Sequence, residues 1–282
     1  MTTVKPLADI ACILRAGEQV PETALQQAVK LASAAGGHLT VKIAVQQMST
    51  PYSPFWMSLP QALVADLNNK NRERSEAAME VARSAARLAG VNADVDLVLD
   101  KDGTAAERAV FACRATDLIV VDQPDAVMDS KAVVLEEALF RSGRPVLVAT
   151  PKRPPLTSVG KVAIAWDGSA HAARATAELL GLFPGVSKAD IVVVQGEKDL
   201  SNALPGADLA RHLSRKGVQA ELVEISAAGG PVWKLLDDHC GVHGADLLVM
   251  GGYGHSRLRQ FILGGVTESI VRQASVPLLM AY

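Results

Sequence analysis

Cysteine is scarce. Cys12, Cys113 and Cys240 are the only three in 282 residues. An odd, scattered set builds no disulfide framework, so the chain reads as a protein of a reducing compartment, cytoplasmic in the simplest case. Aromatic residues make up 4% of the chain, too few for a base-stacking platform along single-stranded nucleic acid. Positive charge is not in surplus either. Lys and Arg number 28 against 30 Asp and Glu, giving a formal net charge of -2, which argues against bulk nucleic-acid binding. No apolar run reaches the roughly 18 residues that a membrane span needs. The first apolar run contains Asp9 and has no basic segment ahead of it, so no secretory leader is expected. A G-x4-G-K-[ST] P-loop is missing, as is a G-x-S-x-G nucleophile elbow. A P-loop ATPase is excluded, and Ser169 reads as a helix cap rather than a nucleophile.

What the chain has in quantity is alanine and valine, arranged in short apolar runs that alternate with helix-spaced segments. Strands are expected at 8–14, 38–45, 95–99, 118–121 and 146–149, with helices at 22–35, 60–88, 104–114 and 133–141. The pattern then starts again. Strands fall at 161–166, 191–194, 220–224, 247–250 and 277–281, with helices at 169–182, 207–216, 232–239 and 266–273. Alternation of this kind predicts parallel sheet covered on both faces. Residues 46–59, which include Tyr52, Phe55, Trp56 and Met57, read as an irregular loop. The charges at Lys70, Arg72, Glu73, Arg74 and Glu76 read as a solvated helix face.

The halves also repeat in detail. Ala115-Thr116-Asp117-Leu118-Ile119-Val120-Val121 parallels Gly244-Ala245-Asp246-Leu247-Leu248-Val249-Met250. Gly143-Arg144-Pro145-Val146-Leu147-Val148-Ala149 parallels Ser275-Val276-Pro277-Leu278-Leu279-Met280-Ala281. A tandem duplication is therefore expected, with domains at 1–150 and 158–282 joined by a linker at 151–157.

The chemistry concentrates in 250–267, Met-Gly-Gly-Tyr-Gly-His-Ser-Arg-Leu-Arg-Gln-Phe-Ile-Leu-Gly-Gly-Val-Thr. Glycines between a buried strand and a helix let backbone N–H groups approach a ligand. The start of that helix adds unpaired donors and partial positive charge, a cradle for phosphate. The matching early strand of the same half ends in Asp167-Gly168-Ser169. A second cluster, Asp237-Asp238-His239-Cys240-x2-His243, contains metal-capable side chains. Gly241 is expected to end the helix between the histidines, so a structural or surface role is read there and no metal site is assigned. Cys12 and Cys113 read as core residues.

At these motifs the sequence resembles the universal stress protein family. The resemblance rests on the strand ending in Asp167-Gly168-Ser169, on Ala245 to Gly251, on Gly251-x2-Gly254-x9-Gly264, and on the last strand opening at Pro277. It implies an α/β fold like that of the adenine nucleotide α-hydrolases, with two tandem doubly wound parallel five-stranded sheets of order 3-2-1-4-5. It further implies a stress-response sensor or regulator that binds ATP, or ADP or AMP, in the C-terminal domain. By position, Asp167 accepts from the adenine amino group, with Gly168 and Ser169 following it. Backbone at Gln195 and Gly196 borders the base. Gly251 and Gly254 close over the ribose and α-phosphate. Gly264, Gly265, Val266 and Thr267 present N–H groups to the outer phosphates.

The chain departs from the family pattern in two ways. Gly265 stands where the family has Ser or Thr, and Glu268 adds negative charge in the first helical turn. No catalytic residue is assigned, and at most slow ATP hydrolysis with Mg²⁺ is expected. The first half has Arg15 in place of the aspartate and Gln123-Pro124-Asp125 in place of Gly252-Tyr253-Gly254, so it reads as degenerate, with one nucleotide per chain. A competing reading is a nucleotide-free interaction module that engages a protein partner through Tyr52–Met57. The resemblance further implies that the last strands of the two domains, Val146–Ala149 and Leu278–Ala281, can pair within one chain as an intramolecular pseudo-dimer, with homodimerisation open.

Overall fold

The computed structural model describes residues 7–15, 23–47, 60–100, 104–126, 130–195, 206–252 and 265–282. The first half runs β1 (Asp9–Arg15), α1 (Thr23–Ala35), β2 (His38–Gln46), α2 (Gln61–Leu88), β3 (Ala93–Asp100), α3 (Ala105–Ala112), β4 (Leu118–Asp122), α4 (Ser130–Arg141) and β5 (Val146–Ala149). The second runs β6 (Lys161–Ala165), α5 (Ala170–Leu182), β7 (Lys188–Gln195), α6 (Ala207–Arg215), β8 (Gln219–Ser226), α7 (Val232–His243), β9 (Leu247–Gly251), α8 (Gly265–Gln273) and β10 (Leu278–Ala281). A short 3-10 turn, Ala227–Gly229, precedes α7. The expected loop at Tyr52–Met57 lies outside the described residues.

The strand order corrects one expectation. Each half has the order 3-2-1-4-5, but the halves are not two sheets. They form a single ten-stranded sheet, β3-β2-β1-β4-β5-β10-β9-β6-β7-β8. Within each half neighbouring strands are parallel, and the join between β5 and β10 is antiparallel, with Leu279 opposite Leu147. The physical reason lies in these two strands, which are buried along their whole length. An apolar edge with unpaired N–H and C=O groups must be covered, and each covers the other. The edges left over, β3 and β8, carry Asp94, Asp96, Glu221 and Glu224 among their outward residues, charges that oppose further strand pairing.

Side-chain alternation along the strands splits the core into two layers. Leu247 and Val249 join Ala175, Leu179 and Ala28 on one face of the sheet. Leu248 and Met250 join Cys240, Ile270 and Leu139 on the other. So α1, α2, α5 and α6 cover one face, and α3, α4, α7 and α8 cover the other, as right-handed crossovers require. The middle of α2 is solvated as expected, with Arg72 paired to Glu76 four residues on. Only its small positions Ser75, Ala78, Ala82 and Ala86, with Val64, are buried.

The end of α7 is a second correction. The helix does not stop at Gly241 but runs on to His243, where Gly244 caps it in the left-handed conformation at φ 66°. A glycine inside a helix costs only about 1 kcal/mol relative to alanine. Packing of Leu236, His239 and Cys240 into the core outweighs that.

Candidate functional site

The second half brings three of the expected elements to one edge. β6 pairs with β9, with Ala165 opposite Met250. Asp167, just past β6, and Gly251, ending β9, therefore lie at neighbouring strand ends. This is where strand order reverses, since β7 follows β6 on one side and β9 flanks it on the other. The helix α8, whose first residue is Gly265, starts from the same edge and returns to β10.

Local hydrogen bonds fix the loop after β6. Oδ1 of Asp167 accepts the N–H of Ser169 at 3.0 Å, an Asx turn that orients the carboxylate. The Ser169 hydroxyl accepts the N–H of Ala172 at 3.1 Å, which is the N-cap role expected of it. Gln195 ends β7 with an exposed side chain that donates to Glu224 at 2.7 Å. Its amide is directed at β8, so what it offers a ligand at this edge is backbone.

Gly251 has a stringent packing requirement. A Cβ placed on it would lie 2.7 Å from the backbone N of Ala172 and 2.8 Å from Cβ of His171. The first turn of α5 sits directly against the end of β9, and only glycine admits that approach. Tyr282, just past β10, stacks on His171 with ring centres 4.6 Å apart and planes 11° apart. It meets Phe140 of α4 edge-on at 4.8 Å, so this corner lies on the seam between the halves. Gly196, Gly254 and Gly264 lie outside the described residues, as do His255, Arg257 and Arg259. Of the expected phosphate cradle, the described part is the α8 backbone from Gly265 through Thr267.

The equivalent edge of the first half is built differently. Arg15 ends β1, and the β4 residue matching Gly251 is Asp122, which is buried. Its Oδ1 accepts the N–H of Ala24 in the first turn of α1 at 2.8 Å. A carboxylate thus sits at the start of α1, at the strand-end position that glycine occupies in the second half. The next residue, Gln123, is also buried and reaches into the other half. It donates to the carbonyls of Val271 at 2.9 Å and Ala274 at 3.1 Å, at the end of α8. Its own carbonyl accepts from Thr150 at 2.9 Å, and Lys152 adds a bond to the carbonyl of Gln273. The residue after β4 of the first half therefore grips the C-terminal end of α8 in the second half. Asp122 could have been noticed in the sequence, as an acid ending an apolar run opposite Gly251. Nothing in the sequence marks Gln123, whose partners are about 150 positions away.

Two cavities in the described part lie elsewhere. One of about 190 Å³ is lined by Thr23, Gln27, Thr150 and Arg153. The other, about 400 Å³, lies between the ends of α1 and α5 and is lined by Leu31, Val159, Leu182 and Phe183. Neither touches Asp167 or Gly251. The three cysteines are free and buried. Burial pushes the Cys113 thiol up to about 11 and that of Cys240 to about 12. Cys12 is also raised, by burial first and then by Asp122. None has the depressed pKa of a reactive thiol. Among the described residues no helix is long and apolar enough to cross a membrane.

Comparison with known proteins gives a consistent result. A family model described as Universal stress protein family matches residues 157–281. A universal stress protein of Synechocystis is 27% identical over 146 residues, covering 51% of this chain and 49% of its own. One from Methanocaldococcus jannaschii is 23% identical over 110 residues, covering 36% of this chain and 65% of its own. The chain thus spans about half the length of the first relative and under two thirds of the second. Among solved structures, a universal stress protein from Archaeoglobus fulgidus superposes over 96% of this chain and 95% of its own, with a TM-score of 0.70 and 16% identity. At that identity the match speaks to the fold, and it spans both halves.

Proposed function

Residues 157–281 match the model of the universal stress protein family, and from that match we propose that the chain is a member whose second half binds one adenine nucleotide, ATP foremost, in a sensing or regulatory role. The proposal divides the chain into a degenerate domain at 1–150, a linker at 151–157 and a nucleotide-binding domain at 158–282. Asp167 receives the adenine amino group, with Gly168 and Ser169 holding its turn. The backbone at Gln195 and Gly196 borders the base. Gly251 and Gly254 pass the ribose and α-phosphate. Gly264, Gly265, Val266 and Thr267 donate N–H groups to the outer phosphates, with Mg²⁺ as the accompanying cation.

The observation that supports this reading most is the contrast between the two edges. The first half has a buried carboxylate, Asp122, bonded at the start of α1. The second half has bare Gly251 at the same position, with Asp167 on the adjoining strand. A buried carboxylate at this strand end would repel a phosphate bound beside it, and a glycine adds neither charge nor side chain there. The role assigned is a sensor's rather than a fast enzyme's. Asp167 is held in a turn, and Ser169 is engaged as a cap, so neither is arranged as a general base or nucleophile.

Calorimetric titration of ATP into the full chain tests the proposal. The expected result is one site per chain, weakened in Asp167→Ala and in Gly254→Val. The absence of heat at millimolar ATP, or unchanged affinity in both variants, would remove it.

A further inference from the structure

The continuation of α7 past Gly241 brings together side chains that the sequence alone leaves apart. His239 and His243 stand four residues apart on one helix, with rings stacked 4.1 Å apart at 21°. Asp190, near the start of β7, points at the same helix, and its Oδ2 lies 3.0 Å from Nε2 of His239. One donor atom from each of the three lies within 4.8 Å of the others. Donors around a four-coordinate zinc, with bonds near 2.0–2.1 Å, stand roughly 3.3 Å apart. Rotation of His243 can close much of that difference, because it is exposed on the last turn while Asp190 and His239 are buried. The site therefore has two fixed ligands inside and a third at its mouth, which is also the way in.

We propose that Asp190, His239 and His243 bind a divalent transition ion of the zinc class, with water completing the coordination. Two imidazoles and one carboxylate suit Zn²⁺, Co²⁺ and Ni²⁺ and disfavour Mg²⁺ and Ca²⁺, which prefer all-oxygen ligands. Cys240, the residue after His239, is not a ligand, because its thiol is packed in the core and held protonated by burial.

At present Lys161 supplies the counter-charge, with Nζ 3.0 Å from Asp190 Oδ2. A buried carboxylate needs a cation, and a metal ion can take that part. The lysine can give way, since its side chain is 27% exposed against 7% for Asp190. The site lies at the amino ends of the strands, at the edge opposite Asp167 and Gly251, and it stands or falls independently of nucleotide binding. An ion held there would fasten α7 to β7.

The test uses tag-free full-length protein stripped with a chelator and titrated with Zn²⁺ and with Co²⁺. The expected result is one equivalent of Zn²⁺, visible Co²⁺ absorption bands from nitrogen and oxygen ligation, and a thermal midpoint that rises with Zn²⁺. His243→Ala, at an exposed position that should leave the fold intact, is expected to lower affinity about tenfold or more. Lys161→Gln is expected to raise it by removing the competing ammonium. Failure of the wild type to bind Zn²⁺ would overturn the site, as would His243→Ala binding as tightly as wild type.

Discussion

The carboxylate of Asp122 holds the backbone N–H of Ala24 at 2.8 Å, and in the second half the same place is taken by Gly251 lying bare against the N–H of Ala172. One duplicated position is a side-chain cap for the helix start in one half and a close backbone contact with it in the other.

The cap predicts a stability effect without a ligand effect. Asp122→Ala leaves the Ala24 N–H without this partner in a buried setting, which should cost about 1–3 kcal/mol in urea unfolding. ATP stoichiometry and affinity should not change. A stable variant that gained a second nucleotide would mean that Asp122 alone closes the first-half site.

The close contact at Gly251 predicts both effects together. Gly251→Ala drives a methyl into the first turn of α5, and overpacking of this kind costs about 1–3 kcal/mol. ATP affinity should fall with it, because α5 must shift away from β9. A Gly251→Ala protein with wild-type unfolding and wild-type ATP binding would show that the close approach is not a constraint.

Much of this architecture was legible in the sequence. The alternation of short apolar runs with helix-spaced segments specified the ten strands and eight helices of the described residues to within a few positions, because burial on both faces writes a continuous apolar run. The duplication was legible through the paired segments around Asp117 and Asp246. Those two aspartates have the same task in each half. Asp117 accepts from Ala8 and Asp9, and Asp246 from Gly160 and Lys161, each at the start of the first strand of its half. The pairing of Val146–Ala149 with Leu278–Ala281 that joins the halves came from the resemblance, because local pattern does not encode which apolar edges meet. The run of α7 through Gly241 was missed because a local glycine penalty was weighed without the packing of Leu236 and Cys240 that opposes it. That Asp167 and Gly251 lie at neighbouring strand ends was legible because each follows or closes a short apolar run. Gln123 was not, because its partners belong to the other half.

Gln123 and Thr150 should act as a unit. Gln123→Leu removes the two bonds to α8, and Thr150→Val removes the hydroxyl that supports the Gln123 carbonyl. Each change should destabilise the chain by about 1–3 kcal/mol. A double-mutant cycle should give a coupling of about 0.5–3 kcal/mol. Strict additivity would mean that the bonds at this seam form no network.

Stability should decline as the pH is lowered through the histidine range. Burial pushes His239 below its ordinary value of 6.5, against the raising effect of its bond to Asp190, while His243 and Lys161 lower it further. The unfolded chain then binds a proton that the folded chain resists, so stability is lost as pH falls from about 6.5 towards the folded pKa. Thermal midpoints across pH 5.5–7.5 should fall on acidification, less steeply in His239→Gln. Identical slopes for the two proteins would assign the effect to other groups.

The cysteines should be silent until the chain unfolds. With thiols at about 11 and 12 for Cys113 and Cys240, and all three buried, native protein near neutral pH should resist alkylation while urea-unfolded protein reacts at three sites. Rapid labelling of native Cys113 or Cys240 would indicate local opening of the α3 or α7 face.

The most direct trial of the central claim is a crystal structure of the full chain grown with ATP. The account predicts a single nucleotide, its purine against Asp167 and its phosphates at the start of α8 beside Gly265. A nucleotide at the Arg15 and Asp122 edge, or side chains filling the space between Asp167, Gly251 and α8, would contradict it.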